Sequence, residues 1–346
     1  MTARLVDIAA QAGVSEATVS RVLNGKPGVA AATRDAVLAA LDVLGYERPV
    51  RLRRRGSAGL VGLITPELEN PIFPALAQVI GQALTRQGYT PVLATQTPGG
   101  STEDELTEML VDRGVAGIIF VSGLHADTTA DTARYEQLRA QGVPFVLVDG
   151  FSPKVRAPFI SPDDRAAMRL AVTHLASLGH TRIGLALGPR RFVPVQRKIE
   201  GFTRSMRETF RLGAADVEDI EAELVQHSLY TLEGGQAAAA ALLDRGCTAV
   251  VCASDMMALG AIRAARERGL EVPDDVSVVG FDDSVLVAFT DPPLTTVRKP
   301  VPAMGQAAVR TLLEEIGGTP APHSEFVFMP ELVVRGSTAA RTAPGA

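Results

Sequence analysis

Between Ser15 and Asn24 the chain reads SEATVSRVLN, placing Glu16, Ala17, Ser20 and Arg21 on one helical face and Val19, Val22 and Leu23 on the other. A polar face of that size, held from behind by apolar residues, fits a DNA major groove, where arginine reads a base edge or grips a phosphate. Two packed helices are also an ordinary structural unit, so spacing alone leaves both readings open. A second charged stretch, RPVRLRRRGS from Arg48 to Ser57, carries Arg48, Arg51, Arg53, Arg54 and Arg55 with no acid among them. It is either a solvated linker or a phosphate-neutralising arm, in which each contact would steepen the salt dependence of binding. The remaining candidates follow apolar runs: Asp149 after FVLV, Asp282 after VVGF, and Ser254-Asp255 after AVVCA.

The elements that must hold these residues can be laid out from periodicity. Leu5, Ile8, Ala9 and Ala12 share one helical face, Gly13 permits a sharp turn, and Ser15 caps the next helix. A third helix runs from about Ala31 to Leu44, with Val37, Leu38, Leu41 and Leu44 closing a small core. From Gly59 the pattern changes to short apolar runs alternating with helices. Residues 60–64, 91–94, 117–121 and 145–148 read as buried parallel strands, with helices near 71–87, 102–112 and 132–141. The rhythm restarts at 182–187 and continues through 249–252 and 276–279, which gives two doubly wound lobes, with 294–297 and 326–334 crossing back between them. Open parallel sheets bind ligands at the carboxyl ends of their strands. That rule selects Thr65 to Phe73, including Asn70 and Phe73, then Asp149 to Phe151, Ser254-Asp255, and Phe281 to Asp283. Asp149 and Asp282 either cap helices or accept ligand hydroxyls; Asp255 is expected to cap the helix 256–268.

At 346 residues the chain is too long for one ordinary core. Its net charge is −5, yet residues 1–55 hold nine Lys and Arg against five acids, leaving −9 on the remainder. That asymmetry suits a small DNA reader on an acidic body. No apolar run approaches the roughly 20 residues of a membrane span and no signal segment opens the chain, so a cytoplasmic location is expected. Cys247 and Cys252, in GCTAVVCA, read as packing thiols. His125, His174, His180, His227 and His323 are scattered, and no metal cluster, nucleophile motif or phosphate-cradling loop is legible. Neither a cofactor nor an enzymatic activity is expected.

Residues 4–46, through AGVSEATVSRVLNG, Thr33-Arg34 and Leu44-Gly45-Tyr46, closely resemble the headpiece of the LacI (lactose-repressor) family of bacterial transcription regulators. Residues 59–337 resemble that family's effector domain through LGHTRIGLALGP, SDMMALGAIRAARERGLEVPDDVSVVGFDD and PPLTTVRKP. The resemblance implies an N-terminal all-α helix-turn-helix headpiece (1–47), a hinge (48–58), an α/β two-lobed periplasmic-binding-protein-like effector domain (59–337) and a flexible tail (338–346). It assigns Ser15, Glu16, Ala17, Thr18, Ser20, Arg21 and Asn24 to the operator. Arg21 would contact a base or phosphate and Ala17 a thymine methyl; Glu16 would accept from cytosine or merely favour the helix N-terminus. In the hinge the family drives an apolar side chain into the minor groove. Leu52 is the large apolar candidate here, while Arg55 stands about where the family has leucine, so arginine insertion competes with a leucine wedge.

By the same resemblance Phe192, Lys198 and Lys299 face the interlobe cleft with Asn70, Phe73, Asp149, Phe151, Ser254, Phe281 and Asp282. Lys198 stands where the family generally has arginine and Lys299 where it commonly has glutamine. Together with Arg197 they suggest surplus positive charge and hence an acidic or phosphorylated sugar. The implied whole is a homodimeric regulator, a repressor of sugar uptake or catabolism genes, that binds a near-palindromic operator under the control of a sugar-like effector. Dimerisation is expected through the lobe near the hinge, with the helix 71–87 a candidate surface unless its apolar residues are all sheet-facing core. A transport sugar-binding protein would share the clamp but require export and no headpiece; an enzyme would retain turnover after loss of residues 1–57.

Overall fold

The computed structural model of the chain describes residues 5–23, 28–44, 58–96, 99–213, 216–319 and 321–341. It divides into two compact units, Met1–Gly56 and Ser57–Ala346.

The first unit holds α1 (Leu5–Ala12), α2 (Glu16–Leu23) and α3 (Ala31–Val43). Gly13 makes the turn between α1 and α2 with φ of +64°, a conformation glycine adopts without steric cost. Ser15 caps α2 by accepting from the Thr18 amide at 3.3 Å. Ile8, Ala9, Val19, Val37 and Ala40 are buried, with Leu5, Val22, Leu23, Leu41 and Leu44 packed around them. Leu38, expected in this core, is 48% exposed; the turn of α3 puts Val37 and Ala40 inward instead.

The second unit runs β1 (Gly59–Thr65), α4 (Ile72–Arg86), β2 (Tyr89–Thr95), α5 (Glu103–Asp112), β3 (Gly117–Val121), α6 (Ala133–Ala140), β4 (Phe145–Val148) and β5 (Phe159–Pro162). It continues through α7 (Asp164–Ser177), β6 (Ile183–Leu187), α8 (Val193–Phe210), α9 (Asp216–Leu224), β7 (Val225–His227), α10 (Leu232–Asp244), β8 (Ala249–Cys252) and α11 (Asp255–Glu267). The last elements are β9 (Ser277–Asp282), β10 (Thr295–Arg298), α12 (Val301–Ile316), β11 (Glu325–Phe328) and β12 (Glu331–Val333). Two six-stranded sheets result, ordered β11-β5-β4-β3-β1-β2 in lobe 1 and β12-β10-β9-β8-β6-β7 in lobe 2. All pairings are parallel except β10 with β12. The central strands are buried throughout, as their continuous apolar runs require of a sheet covered on both faces.

The chain passes between lobes three times, after β5, β10 and β11. Two of these passages lie in the segments expected to cross back, because β10 is followed by a lobe 1 helix and β11 by a lobe 2 strand. Helix α5 starts where expected: Thr102 accepts from the Glu105 amide at 3.2 Å while the Glu105 carboxylate accepts from the Thr102 amide at 2.8 Å. In α4, Ile72, Leu76, Ile80 and Leu84 are buried in the core of lobe 1. Leu76→Ala should lower unfolding stability by about 2–5 kcal/mol, read from denaturant unfolding; a loss under 1 kcal/mol would contradict that placement.

Both cysteines are free and buried. Thr338, Ala339 and Arg341, placed by the sequence in a flexible tail, are hydrogen-bonded to lobe 2. The Thr338 hydroxyl lies 2.9 Å from His174 Nε2, the Ala339 amide donates to Ser277 Oγ at 3.1 Å, and the Arg341 amide donates to the Leu178 carbonyl at 2.8 Å. Among the described residues no helix is long and apolar enough to cross a membrane.

Candidate functional site

On α2, Ser15, Glu16, Ala17 and Arg21 are exposed and Thr18 and Ser20 half-buried, while Val19 is fully enclosed. The polar face read from spacing is therefore presented by the folded unit. Asn24, Arg48, Arg51, Leu52, Arg53, Arg54 and Arg55 lie outside the described residues.

Between the two lobes is a cavity of about 230 Å³. Asn70, Phe73, Asp149, Phe192, Lys198, Ser254, Phe281, Asp282 and Lys299 line it, bringing nine of the expected residues together. Phe151 is not among them: its ring packs edge-on against Phe159 at 4.9 Å, with the Arg197 guanidinium 5.9 Å from its centroid. The strand ends supply the polar groups. Ser122 after β3, Asp149 after β4 and Asp282 ending β9 have φ of +47°, +68° and +112°. Left-handed backbone costs a residue other than glycine roughly 1–3 kcal/mol, which the surrounding sheets must impose.

The charges in the cavity are matched. Lys299 Nζ lies 3.0 Å from Asp149 Oδ2 and 3.5 Å from Asp282 Oδ1. Lys198 pairs with Asp164 and places its ammonium 4.1 Å from the Phe281 ring centroid. Ser122 Oγ donates to Asp149 Oδ2 at 2.8 Å. Three buried carboxylates thus face two ammoniums, and Arg197 is held elsewhere by Glu325, with contacts of 2.6 and 2.8 Å. The surplus of positive charge inferred from the lysines is overturned, because each is matched within the fold by an aspartate brought from a distant element.

Burial disfavours ionised Asp149, but Lys299 and Lys198 outweigh it and hold the carboxyl below its ordinary range. Asp282 fares differently: burial pushes it up to about 7 against the pull of Lys299, and its Oδ1 has no hydrogen-bond partner. Burial likewise raises Asp164 despite Lys198. Burial lowers the Lys299 pKa, yet Asp149 and Asp282 outweigh it and keep the ammonium charged.

Asp255 is not the cap of α11. Ser254 is, accepting from the Met257 amide at 3.2 Å, while the Asp255 carboxylate is buried against Thr296 Oγ1 (2.6 Å) and the Ser284 amide (2.7 Å). Burial raises its pKa to about 6.

Several lining residues escaped the sequence reading. Ser122 was within reach of the strand-end rule, since β3 was legible. Tyr230 was not, because β7 is three residues long and carries little periodic signal. A Cβ on Gly188 would come within 2.0 Å of the Tyr230 ring, so glycine there makes room for it. Glu67, inside the stretch Thr65 to Phe73 that the strand-end rule selected, lines the cavity and folds its loop by accepting from the Asn70 amide at 2.9 Å.

Comparison with known proteins agrees with both units. Residues 4–48 match the family described as bacterial regulatory proteins, lacI family, and residues 172–338 match a periplasmic binding protein-like domain. The chain is 87% identical over 345 residues to the HTH-type transcriptional regulator MalR of Streptomyces coelicolor, covering 100% of this chain and 98% of that protein. It is 31% identical over 343 residues to the HTH-type transcriptional repressor CytR of Escherichia coli, covering 98% and 97%. Among solved structures, the transcriptional regulator CelR–cellobiose complex aligns with a TM-score of 0.70 at 32% identity, covering 97% of this chain and 99% of that one. The lac repressor dimer bound to operator and the anti-inducer ONPF aligns at 0.68 and 28%, covering 98% and 100%. The chain belongs to the LacI family and is a DNA-binding transcriptional regulator, with a helix-turn-helix unit followed by a two-lobed periplasmic-binding-protein-like unit.

Proposed function

We propose that the protein is a homodimeric repressor of sugar uptake or catabolism genes whose hold on a near-palindromic operator is controlled by a neutral sugar bound between the lobes. The observation that carries this is the charge balance of the cavity. Its two ammoniums are already engaged by aspartates, so an acidic ligand would find no free positive charge to receive it in a low-dielectric site. Phe73, Phe192, Phe281 and Tyr230 supply the apolar surface that the face of a sugar ring requires, and Asp282 Oδ1 is an acceptor awaiting a donor such as a hydroxyl. The cellobiose held by the CelR relative is a neutral sugar of this kind.

Calorimetry on the full chain with cellobiose and with glucose 6-phosphate tests the charge argument. Binding of cellobiose and not of the phosphate is expected; binding of the phosphate alone overturns it. A second copy fits lobe 2, where Val285, Leu286 and Phe289 are 81%, 69% and 84% exposed, a patch a monomer would leave in water. The headpiece reads DNA through α2, and the arginines at 48–55 supply phosphate contacts. Arg21→Ala should weaken operator binding by about 1–3 kcal/mol in a gel-shift titration, with relaxed preference at one base pair if the contact is to a base. Unchanged affinity would remove Arg21 from the interface.

A further inference from the structure

At the rim of the cavity the lobes are joined by a contact in which none of the cavity carboxylates takes part. Ala126, 2% exposed, lines the cavity, and the chain then emerges to an exposed Thr128. There it meets the residues that lead into α8. Asp127 and Phe192 form a single antiparallel bridge. Thr128 donates from its amide and its hydroxyl to the Arg191 carbonyl, at 2.9 and 2.8 Å, and Arg191 Nε donates back to Asp127 Oδ2 at 2.8 Å. The Arg191 guanidinium lies 4.7 Å from the centroid of the Phe192 ring that forms part of the cavity wall.

The lobe 1 side of this contact is held from behind. Asp127 Oδ1 accepts from the Thr129 amide and hydroxyl at 2.9 and 2.7 Å. Glu103, 1% exposed, accepts from the Leu124 amide at 2.9 Å, Gln96 Nε2 at 3.1 Å and the Tyr135 hydroxyl at 2.7 Å. The Tyr135 oxygen in turn accepts from the His125 amide at 3.1 Å. His125 Nε2 faces the Val148 carbonyl at 3.1 Å and must therefore be its donor; burial lowers the ring pKa to about 4, so the imidazole is neutral. A buried network satisfied in this way fixes residues 124–127 in one conformation. The loop is thus a rigid arm presented to the other lobe.

We infer that Asp127 and Arg191 form a latch: they are positioning residues that fasten Phe192 and the start of α8 to lobe 1 and thereby set how firmly the clamp stays shut. The latch concerns the lobes themselves, and only its second test below rests on the proposed sugar site. An ion pair of this exposure is worth about a five-fold change in the balance of closed and open forms.

Pulsed electron spin resonance on the full chain tests it directly, with spin labels on cysteines introduced at Glu136 in α6 and Glu208 in α8. Both sites are exposed and the native thiols are buried. Asp127→Asn keeps Oδ1 for Thr129 but turns an amide toward Arg191; Arg191→Gln removes the charge from the other side. Each should add a longer interlobe distance, and the double variant should open no further than either single, because one contact can be broken only once. Unchanged distances in both singles, or additive opening, overturn the latch. In calorimetry with cellobiose the single variants should bind about five-fold more weakly, through faster dissociation. If the unaltered chain does not bind cellobiose, the sugar assignment fails while the distance measurement still decides the latch.

Discussion

Asp282→Asn should make the two-lobed unit more stable at neutral pH while removing its response to an effector. In the folded protein the Asp282 carboxyl is raised to about 7, chiefly by burial, whereas in the unfolded chain it titrates near the ordinary 3.8. Between those values the folded state binds more protons than the unfolded one, so this group's contribution to stability falls as pH rises and reaches its full cost above about 7. An amide carries no such cost. The advantage of the variant should therefore be near zero at pH 4, grow through pH 5 and 6, and level off above pH 7 at up to roughly 4 kcal/mol, by the conversion of about 1.4 kcal/mol per pK unit. Denaturant unfolding across that pH range checks this, and a difference that is flat in pH would sink it. Asparagine tolerates left-handed backbone, so φ of +112° does not confound the comparison. Stability gained by deleting a functional charge is the expected signature of a site that holds, for its ligand, a buried acceptor without a hydrogen bond.

The opposite sign is expected of Lys299→Met. Removing this ammonium leaves Asp149 and Asp282 facing each other in a buried site, with Lys198 already committed to Asp164. Breaking a buried pair from one side costs about 3–5 kcal/mol, far more than an exposed pair is worth. Both carboxyls would then titrate higher in the folded state, so the loss should be largest at pH 8 and shrink toward pH 5 as they take up protons. The double variant Asp282→Asn/Lys299→Met should recover part of the loss. A Lys299→Met protein as stable as the parent at pH 8 would show that the cluster carries no such coupling.

The legibility of these features in the sequence follows their physical range. Helical and strand periodicity is local, so α1 and α2, the strands 117–121, 145–148 and 249–252, and the helix near 102–112 could be read directly. The strand-end rule then located Asp149, Phe281 and Asp282 from topology alone. It passed over Ser122, which followed a strand already recognised, and Tyr230, whose strand is too short to show a period. Leu38 illustrates the limit of patterning on a helix: its spacing suits the core, but the small headpiece has room only for Val37 and Ala40 on that side.

Resemblance to the LacI family made the N-terminal helix pair a DNA reader; by itself the sequence determined a helix pair with its polar face outward, an arginine-rich connector, and an acidic two-lobed α/β body with its candidate ligand groups at strand ends. Those properties depend on residue type and near-neighbour spacing, which the chain carries in one dimension. Only the tertiary structure decided the charge of the cavity and the fastening of its rim. Asp164 reaches Lys198, Asp149 reaches Lys299 and Asp127 reaches Arg191 from 34, 150 and 64 residues away. An electrostatic field sums over what is close in space, and no local pattern in the sequence records which aspartate will stand beside which lysine.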